Sequence, residues 1–189
     1  MIRIRNFRWL AAGVLAVACT VGGYLAYLQI SGNFHTVIAD QLYRSAQPSP
    51  AQLESYVRDH GIQTIINLRG KKDHAKWYAD EVAAASSLGV GHIDFAMSSS
   101  KVLTPARAEE LLAIMRAAPK PILIHCQSGA DRSGLVSVLY SQQVAGVDED
   151  VAERQLSAFY GHVAVPYFSG TYAMDRSWLD LEKHFHVEG

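Results

Sequence analysis

Ile122-Leu123-Ile124-His125-Cys126-Gln127-Ser128-Gly129-Ala130-Asp131-Arg132-Ser133-Gly134 is the stretch that decides the fold of this chain. Residues 121–124 form a short apolar run rich in β-branched side chains, as expected of a buried parallel strand. Residues 135–140 then begin a helix with an apolar face. The sequence therefore predicts a strand, a tight turn and a helix.

The turn between that strand and that helix is suited to hold an anion. Its backbone N–H groups point toward one place, at the positive end of the following helix. Arg132 supplies a planar fork that can bind two phosphate oxygens. We expect the turn itself to contact the remaining oxygens, and its residues are Gln127, Ser128, Gly129 and Ala130.

Cys126 lies at the floor of this turn and is the predicted nucleophile. A free cysteine has a pKa of roughly 8.5, which a helix N-terminus or a cationic neighbour lowers to about 3.5–7.5. A thiolate at neutral pH can attack phosphorus in line with the leaving oxygen. The hydroxyl of Ser133 is placed to support the thiolate and later to ease its departure. The alternative is a buried structural cysteine with no chemical role.

The pattern His-Cys-x5-Arg-Ser at residues 125–133 resembles the signature loop of the cysteine-dependent protein tyrosine phosphatases, in their dual-specificity-like branch. Its Gly-Ala-Asp-Arg form is similar to bacterial members. Residues 43–48 and 65–69 resemble upstream segments of the same family, and the likeness covers roughly residues 34–162 but not the N-terminal thirty. The resemblance implies phosphomonoester hydrolysis through a phosphocysteine, with no cofactor and no metal.

Composition sets the size and setting of the domain. With 189 residues, 49% of them hydrophobic, the chain can bury one core. A net charge of −1 gives no argument for nucleic-acid binding. The two cysteines give no disulfide framework, and the eight histidines lack cysteine partners at the spacing of a zinc site.

The N-terminal segment predicts a membrane anchor. Arg3, Arg5 and Arg8 precede an uncharged run at residues 9–30, which spans about 33 Å as a helix and exceeds a hydrocarbon core of about 30 Å. The positive-inside rule then places the N-terminus in the cytoplasm and the remainder across the membrane, in the periplasm if the source is bacterial. We therefore predict a tail and anchor at residues 1–31 and a phosphatase domain at residues 32–189.

A cleaved signal peptide is the rival interpretation of this segment. Ala16-Val17-Ala18 has the small residues of a cleavage site, and a lipoprotein-style cleavage before Cys19 is also conceivable. Cleavage would release a secreted protein. The apolar run continues past Cys19 to Ile30, which favours an uncleaved helix.

The rest of the chain alternates strands with helices. This order predicts an α/β fold with a central, mostly parallel sheet flanked by helices, preceded by one N-terminal transmembrane helix. The predicted strands are residues 40–45, 62–68, 90–95 and 121–124, after a linker at 31–39. The predicted helices are residues 50–60, 75–88, 104–117, 132–144, 148 or 150 to 161, and 166–187. In the last of them we expect an irregularity at Ser169-Gly170.

A basic segment follows the second predicted strand. In open α/β sheets, ligands bind outside the carboxyl ends of the strands, so Arg69 and Lys71 are predicted to lie at the rim of the site and to contact an anionic substrate. The alternative is a solvated loop whose charges have no specific partner. Neutralising these residues is expected to raise the KM for phosphoinositide-like substrates only.

Phosphoryl transfer also needs a proton donor for the leaving oxygen. Asp94, near the end of the third predicted strand, is one candidate, although the resemblance would place this acid slightly later, among Met97 and the serines that follow it. Asp131, inside the loop, is the other, and its carboxylate must be paired or protonated to tolerate a phosphate dianion. Gln155 and His162 either face the site or are structural, and the role of Arg44 stays open.

A phosphatase is the leading functional hypothesis. Its predicted substrates are phosphotyrosine or phosphoserine proteins, or lipid phosphates, and its predicted further partner is the membrane that holds the N-terminal helix. Two alternatives are a rhodanese-like sulfurtransferase and a non-catalytic module that binds a phosphorylated ligand at a membrane. The intact Cys126 and Arg132 argue against the second alternative.

Overall fold

The computed structural model describes residues 2–186. Its first element is a long helix, α1 (Ile2–Ile30). Within it, residues 12–30 have a mean hydropathy of 1.6, and only 6% of that window is buried against the domain. By length and composition α1 is able to cross a membrane. The side chains of Arg3, Arg5 and Arg8, on which the predicted orientation rests, lie outside the description, as does Val187 at the predicted end of the last helix.

A five-stranded mixed sheet forms the centre of the domain. Its spatial order is β1-β2-β5-β3-β4, with β1 antiparallel to β2 and all other neighbours parallel. The predicted mostly parallel sheet is therefore confirmed. The strands are β1 (His35–Ile38), β2 (Leu42–Ser45), β3 (Thr64–Asn67), β4 (Gly91–Asp94) and β5 (Ile122–His125).

Strand β1 corrects the predicted linker at residues 31–39. Thr36, Val37 and Ile38 are β-branched and suit an extended strand. They pair at the sheet edge with β2, across a register irregularity between Thr36 and Ile38. This edge strand brings the chain back from the end of α1 to the start of β2.

Helices cover both faces of the sheet, as predicted. One face packs against α4, α5 and α7 in a core that includes Leu111, Leu139 and Trp178. The other packs against α2 and α3 in a core that includes Leu53 and Ala85. The helices are α2 (Pro50–His60), α3 (Lys76–Leu88), α4 (Pro105–Ala117), α5 (Asp131–Gln143), α6 (Glu149–Ala152) and α7 (Tyr172–His184).

Two predictions for the last third of the chain were wrong in detail. The helix expected at 148–161 is broken into α6 and two short 3-10 turns, at residues 153–155 and 158–160. The helix expected at 166–187 begins only at Tyr172. Tyr167 has a φ of 66°, and the N–H groups of Phe168 and Ser169 both donate to Val165 O, so residues 165–169 form a turn instead.

Two helices begin after a residue that is suited to an N-cap. Ser49 forms a complete capping box with Gln52 at the start of α2, as its side chain accepts from the Gln52 N–H. Thr104 occupies the cap position of α4, but its side chain makes no cap hydrogen bond. Of these two residues, Ser49 therefore stabilises its helix start through a side-chain hydrogen bond, and Thr104 does not.

Candidate active site

The loop between β5 and α5 is held in shape by a glycine that no other residue can replace. Gly129 has a φ of 73°, and a Cβ on it would lie 2.6 Å from Ala46 N and 2.7 Å from Ser45 C. A side chain there would push the loop away from the end of β2. The loop thus packs directly on the carboxyl end of the neighbouring strand.

Cys126 is buried beneath this loop, with 1% of its surface exposed. Burial raises the pKa of its thiol, but the positive charge of Arg132 and hydrogen bonds from Ser133 and Gly129 outweigh burial and lower it. The Ser133 hydroxyl and two backbone N–H groups provide those hydrogen bonds. The arrangement stabilises a thiolate, which is the form that acts as a nucleophile.

The guanidinium of Arg132 makes few contacts within the described part of the chain. Its Nε is buried without a partner in the described part of the chain, and its Nη1 makes only long contacts, 3.5 Å to Leu68 O and 3.4 Å to Met97 O. The guanidinium is therefore available to a bound anion. Ser133 Oγ has no oxygen or nitrogen partner among residues 2–186 either, which leaves its proton for the sulfur.

Arg44 braces the loop from below, which resolves its open role. It is fully buried, and its Nη2 donates to Gly129 O at 2.7 Å and to Ala130 O at 3.0 Å. Its Nη1 donates to the backbone oxygen and side chain of Gln155, and its guanidinium lies 4.3 Å from the Tyr160 ring centroid. By binding the loop carbonyls, Arg44 keeps them pointing away from the anion site.

Glu81 braces the loop from the strand side. Its carboxylate, with 0% of the side chain exposed, is 3.0 Å from His125 Nε2 and 2.7 Å from His92 Nε2, and also accepts from Gln47. Burial would raise the pKa of Glu81, but the hydrogen bonds from the two histidines and Gln47 outweigh it and lower the pKa to about 2. Glu81 is thus a permanent acceptor that fixes the residue before the nucleophile.

The two predicted basic rim residues lie in different settings. Arg69 stacks on the Trp77 ring at 3.6 Å and donates to Gln47 Oε1 at 2.8 Å. The preceding residue, Leu68, donates its N–H to His125 O at 3.0 Å, and its own carbonyl oxygen lies 3.5 Å from Arg132 Nη1. Arg69 is therefore next to the loop between β5 and α5, hereafter the phosphate loop. Burial and the nearby charge of Arg132 lower the pKa of Arg69. Lys71 is mostly exposed and pairs with Asp73 at 3.2 Å. The structure therefore brings Arg69, rather than Lys71, to the site.

Asp94 lies at the end of β4 with both carboxylate oxygens engaged. Asn67 Nδ2 donates to Oδ1 at 2.8 Å, and the Tyr78 hydroxyl donates to Oδ2. Burial and this hydrogen bond raise the pKa of Tyr78 to about 12, so Tyr78 keeps its proton at neutral pH. These contacts give Asp94 a structural role as an acceptor between β3, β4 and α3.

Asp131 begins α5 and is paired, as a carboxylate beside a phosphate must be. Its Oδ1 is 2.8 Å from His162 Nδ1, and His162 Nε2 is 3.1 Å from Asp175 Oδ2. Burial lowers the pKa of His162, but the hydrogen bond to Asp131 and the charge of Asp175 outweigh it and raise the pKa. His162 therefore joins the site, and its two carboxylate partners favour its protonated form.

The structure brings together most of the residues singled out from the sequence. Cys126, Arg132, Ser133, Asp131 and the turn residues 127–130 form one loop. The Ala130 N–H donates to Ser128 Oγ at 3.4 Å, so this N–H is directed toward a side chain of the loop itself.

Sequence reasoning missed Glu81 and Asp175. A signal for Glu81 was present, because Tyr78, Glu81 and Ala85 share the buried face of α3 at helical spacing.

Sequence comparisons agree with this geometry. The profile described as "Tyrosine phosphatase family" matches residues 5–155, which extends into α1 and so further toward the N-terminus than the motif resemblance. The human dual specificity protein phosphatase CDC14C is 29% identical over 94 residues, which is 50% of this chain. That match spans only 20% of the human relative's length.

Solved structures show the same fold. TpbA of P. aeruginosa in complex with pTyr superposes with a TM-score of 0.53 and 23% identity, over 69% of this chain and 76% of that one. PTPMT1 in complex with PI(5)P superposes with a TM-score of 0.59 and 14% identity, over 80% of this chain and 98% of that one. At these identities the likeness establishes the α/β fold.

Proposed function

The chain belongs to the tyrosine phosphatase family, and from this membership we propose that it hydrolyses phosphomonoesters through a phosphocysteine. The observation that carries the proposal is the environment of Cys126. A buried thiol whose pKa is lowered by Arg132 and Ser133, beneath an arginine with a free fork, is built to attack a bound phosphate. The enzyme is a cysteine-dependent phosphatase of the tyrosine or dual-specificity type.

In the first step the phosphate dianion binds between Arg132 and the turn at residues 127–130. The thiolate of Cys126 attacks phosphorus as the bond to the leaving oxygen breaks, so charge remains spread over three oxygens that face the guanidinium. A proton passes to the leaving oxygen, which departs as an alcohol or phenol. The phosphoryl group is now on sulfur.

In the second step a water molecule attacks the phosphocysteine. The phosphorus–sulfur bond breaks, and Cys126 leaves as a thiolate that the Ser133 hydroxyl and the N–H groups of Ser133 and Gly129 stabilise. The water gives up a proton to the acid that lost one in the first step, and inorganic phosphate is released. No metal enters either step.

For the proton donor we favour Asp131 over Asp94. Both oxygens of Asp94 accept hydrogen bonds from neighbouring side chains. In the described part of the chain only Oδ1 of Asp131 is hydrogen-bonded, and Asp131 directly precedes Arg132. Asp131, hydrogen-bonded to His162, gives a proton to the leaving oxygen, and Asp175 holds His162 in place.

The substrate class is a phosphorylated protein or a lipid phosphate. The relatives with this fold were solved with pTyr and with PI(5)P, so the fold accommodates both chemistries. Arg69, close to Arg132, adds positive charge beside the phosphate loop and suits a substrate with more than one anionic group. Lys71 is the outer member of this basic segment.

We also propose that α1 is a membrane anchor, with residues 1–31 as tail and anchor and residues 32–189 as the catalytic domain. The length and hydropathy of α1 support the anchor. The arginines at its N-terminal end favour a cytoplasmic N-terminus and a domain on the opposite side, the periplasm in a bacterium. Signal cleavage with secretion is the rival, and the mass of the mature protein distinguishes the two.

A substrate panel tests the function. The full chain, reconstituted in vesicles, is given a phosphotyrosine peptide, a phosphoserine peptide, a phosphoinositide and phosphatidic acid, and phosphate release is measured beside Cys126→Ser. We expect turnover of at least one substrate and none by the variant. Binding without turnover, equal in both proteins, would support the phospho-ligand module, and persulfide formation with thiosulfate would support the sulfurtransferase.

A further inference from the structure

We propose that a rim of exposed apolar residues lies in the interfacial layer of the bilayer that α1 spans, so that the active-site edge of the sheet faces the membrane. We call this set the aromatic rim: Phe159, Val163, Val165, Tyr167 and Phe168. The proposal rests on the proposed membrane anchor and, for its catalytic consequence, on the proposed phosphatase activity. Its ligand is the lipid surface itself.

The first observation is where α1 meets the domain. Gln29 Nε2 donates to Ser128 O in the phosphate loop at 3.4 Å, and Asn33 Nδ2 donates to the same oxygen at 2.9 Å. Asn33 Nδ2 also donates to Tyr160 O at 2.9 Å. The helix therefore arrives at the carboxyl edge of the sheet, where Cys126 lies, and not at the opposite edge.

The second observation is the depth of that contact. Leu28 is 3% exposed because it packs against the domain, so α1 leaves the bilayer before Leu28. Tyr24, about one helical turn earlier, lies close to that point. The Tyr24 hydroxyl donates to Phe159 O, so the Phe159 segment lies beside the membrane portion of α1. Phe159 is 62% exposed and lies near the membrane–water interface, where aromatic side chains anchor proteins.

The third observation is the path of the rim. The rim begins at Phe159 and continues past His162, whose Nδ1 contacts Asp131 at the start of α5. It ends at Gly170, where a Cβ would lie 3.2 Å from Ser100 Cβ in the loop after β4. The rim therefore runs along the carboxyl edge from the α1 side to the β4 side.

The fourth observation is the composition and shape of the rim. Tyr167 and Phe168 are 92% and 90% exposed, and Tyr167 has a φ of 66°, a strained conformation for a bulky residue. No charged residue occurs between His162 and Asp175. A strained turn that presents two aromatic rings outward, without charge, matches a surface that enters headgroups.

The consequence concerns the substrate. A phosphate loop that lies beside the exit of α1, on the edge that faces the bilayer, is positioned for phosphates carried at the lipid surface. Because α1 already holds the domain at the membrane, the rim contributes orientation rather than recruitment. Loss of the rim is therefore expected to affect bilayer substrates and to spare small soluble ones.

A depth measurement tests the rim directly. The full chain carrying Cys19→Ala, Cys126→Ser and Phe168→Cys is labelled with an environment-sensitive fluorophore and reconstituted in phosphatidylcholine vesicles. Lipids that carry a nitroxide near the headgroup are expected to quench this label several-fold more than one at Ser87→Cys, an exposed position in the last turn of α3 at the opposite edge. Equal quenching at both positions overturns the proposal. It is also overturned if vesicles leave the label exposed to water and only an added phosphotyrosine peptide or a second copy of the chain shields it.

An activity measurement separates the rim from the proposed reaction. With Cys19 and Cys126 intact, Tyr167→Ser with Phe168→Ser is expected to lower the rate on phosphatidic acid in vesicles about tenfold. Its rate on p-nitrophenyl phosphate should match wild type, as should both rates of Val82→Ser, an exposed apolar control on α3. Equal rates on the lipid would overturn the rim. A wild-type protein inactive on both substrates would contradict the phosphatase proposal, while the quenching result would still decide the rim.

Discussion

Two carboxylates at the phosphate loop each contact a histidine, and they differ in burial. Glu81 is fully buried between His125 and His92, with a pKa lowered to about 2. Asp131 keeps 18% of its side chain exposed and shares one histidine, His162, with Asp175. The same pairing chemistry thus gives a fixed acceptor on one side of the loop and a group open to solvent on the other.

This difference lets one loop keep its shape while a proton moves at one of its ends. Buried donors bind both oxygens of Glu81 and lower its pKa to about 2, so it is ionised at neutral pH, has no proton to give and can only brace the loop. Asp131 has a partly open side and a histidine whose pKa is raised, so a proton is available there. Substitutions on the two sides of the loop should therefore have different effects.

Removal of the proton donor should have the largest effect. Asp131→Asn is expected to lower kcat on an alkyl phosphate about 100- to 1000-fold, and much less on p-nitrophenyl phosphate, whose leaving group is stable as an anion. Steady-state kinetics on both substrates measures this. Asp94→Asn is the matched control and should show no dependence on the leaving group. An equal loss on both substrates for Asp131→Asn would remove its assignment.

Removal of the buried brace should lower stability instead. Glu81→Ala leaves two histidines without their acceptor and is expected to cost about 3 kcal/mol in the free energy of unfolding at pH 7, measured by urea denaturation. The pKa of Glu81 is lowered on folding, so its stabilisation is present above pH 4.5 and is lost as the pH falls toward about 2. Asp80→Ala, at the exposed neighbouring position, should change stability little. An unchanged unfolding curve for Glu81→Ala would contradict the bracing role.

Weakening the contacts of His162 should change the pH dependence of kcat. His162 has a raised pKa and is protonated below it, so the alkaline limb of kcat is expected to follow this group. Asp175→Asn removes a negative charge that raises that pKa, and the limb should move to lower pH. Asp180→Asn, an exposed substitution on the same helix, is the control. A limb that stays in place in Asp175→Asn would exclude His162 from the proton pathway.

The basic segment should contribute least. Arg69→Met is expected to raise the KM for a phosphoinositide about threefold, because Arg69 is close to Arg132 and Cys126. Lys71→Met should leave it nearly unchanged, since Lys71 is exposed and paired with Asp73. Small aryl phosphates should not distinguish the variants. Equal effects of the two substitutions would show that the segment acts only through its general charge.

Much of the fold could be predicted from the sequence because its signals are local. The apolar strand before Cys126 and the helix after Arg132 were placed within a residue or two, and so was the start of α2, where Ser49 and Pro50 carry the signal. The late start of α7 was not, because a turn stabilised by Val165 O and the strained Tyr167 competes with helix there. The segment after Asp148 was not either, since Leu156 and the extended Ser157 leave the helical conformation. Strand β1 pairs locally with β2, but it has only four residues and its register is irregular between Thr36 and Ile38, so its sequence pattern is weak.

The residues that bind the phosphate could also be predicted, since Cys126, Arg132 and Ser133 lie within one loop. The side chains that hold this loop in place could not, because they come from distant parts of the chain. Glu81 is 44 residues from His125, and Asp131 is 31 residues from His162. The sequence therefore predicted the nucleophile and two rival acids, and only the contacts around each acid distinguish them.

One measurement tests the central claim, that Cys126 carries the phosphoryl group. The wild-type chain is mixed with a phosphorylated substrate, quenched in acid within the first turnovers, digested and analysed by mass spectrometry. We expect phosphate on the peptide that contains Cys126, in an amount that decays as inorganic phosphate appears. Phosphate release that proceeds with no label on Cys126, and that persists in Cys126→Ser, would contradict the account.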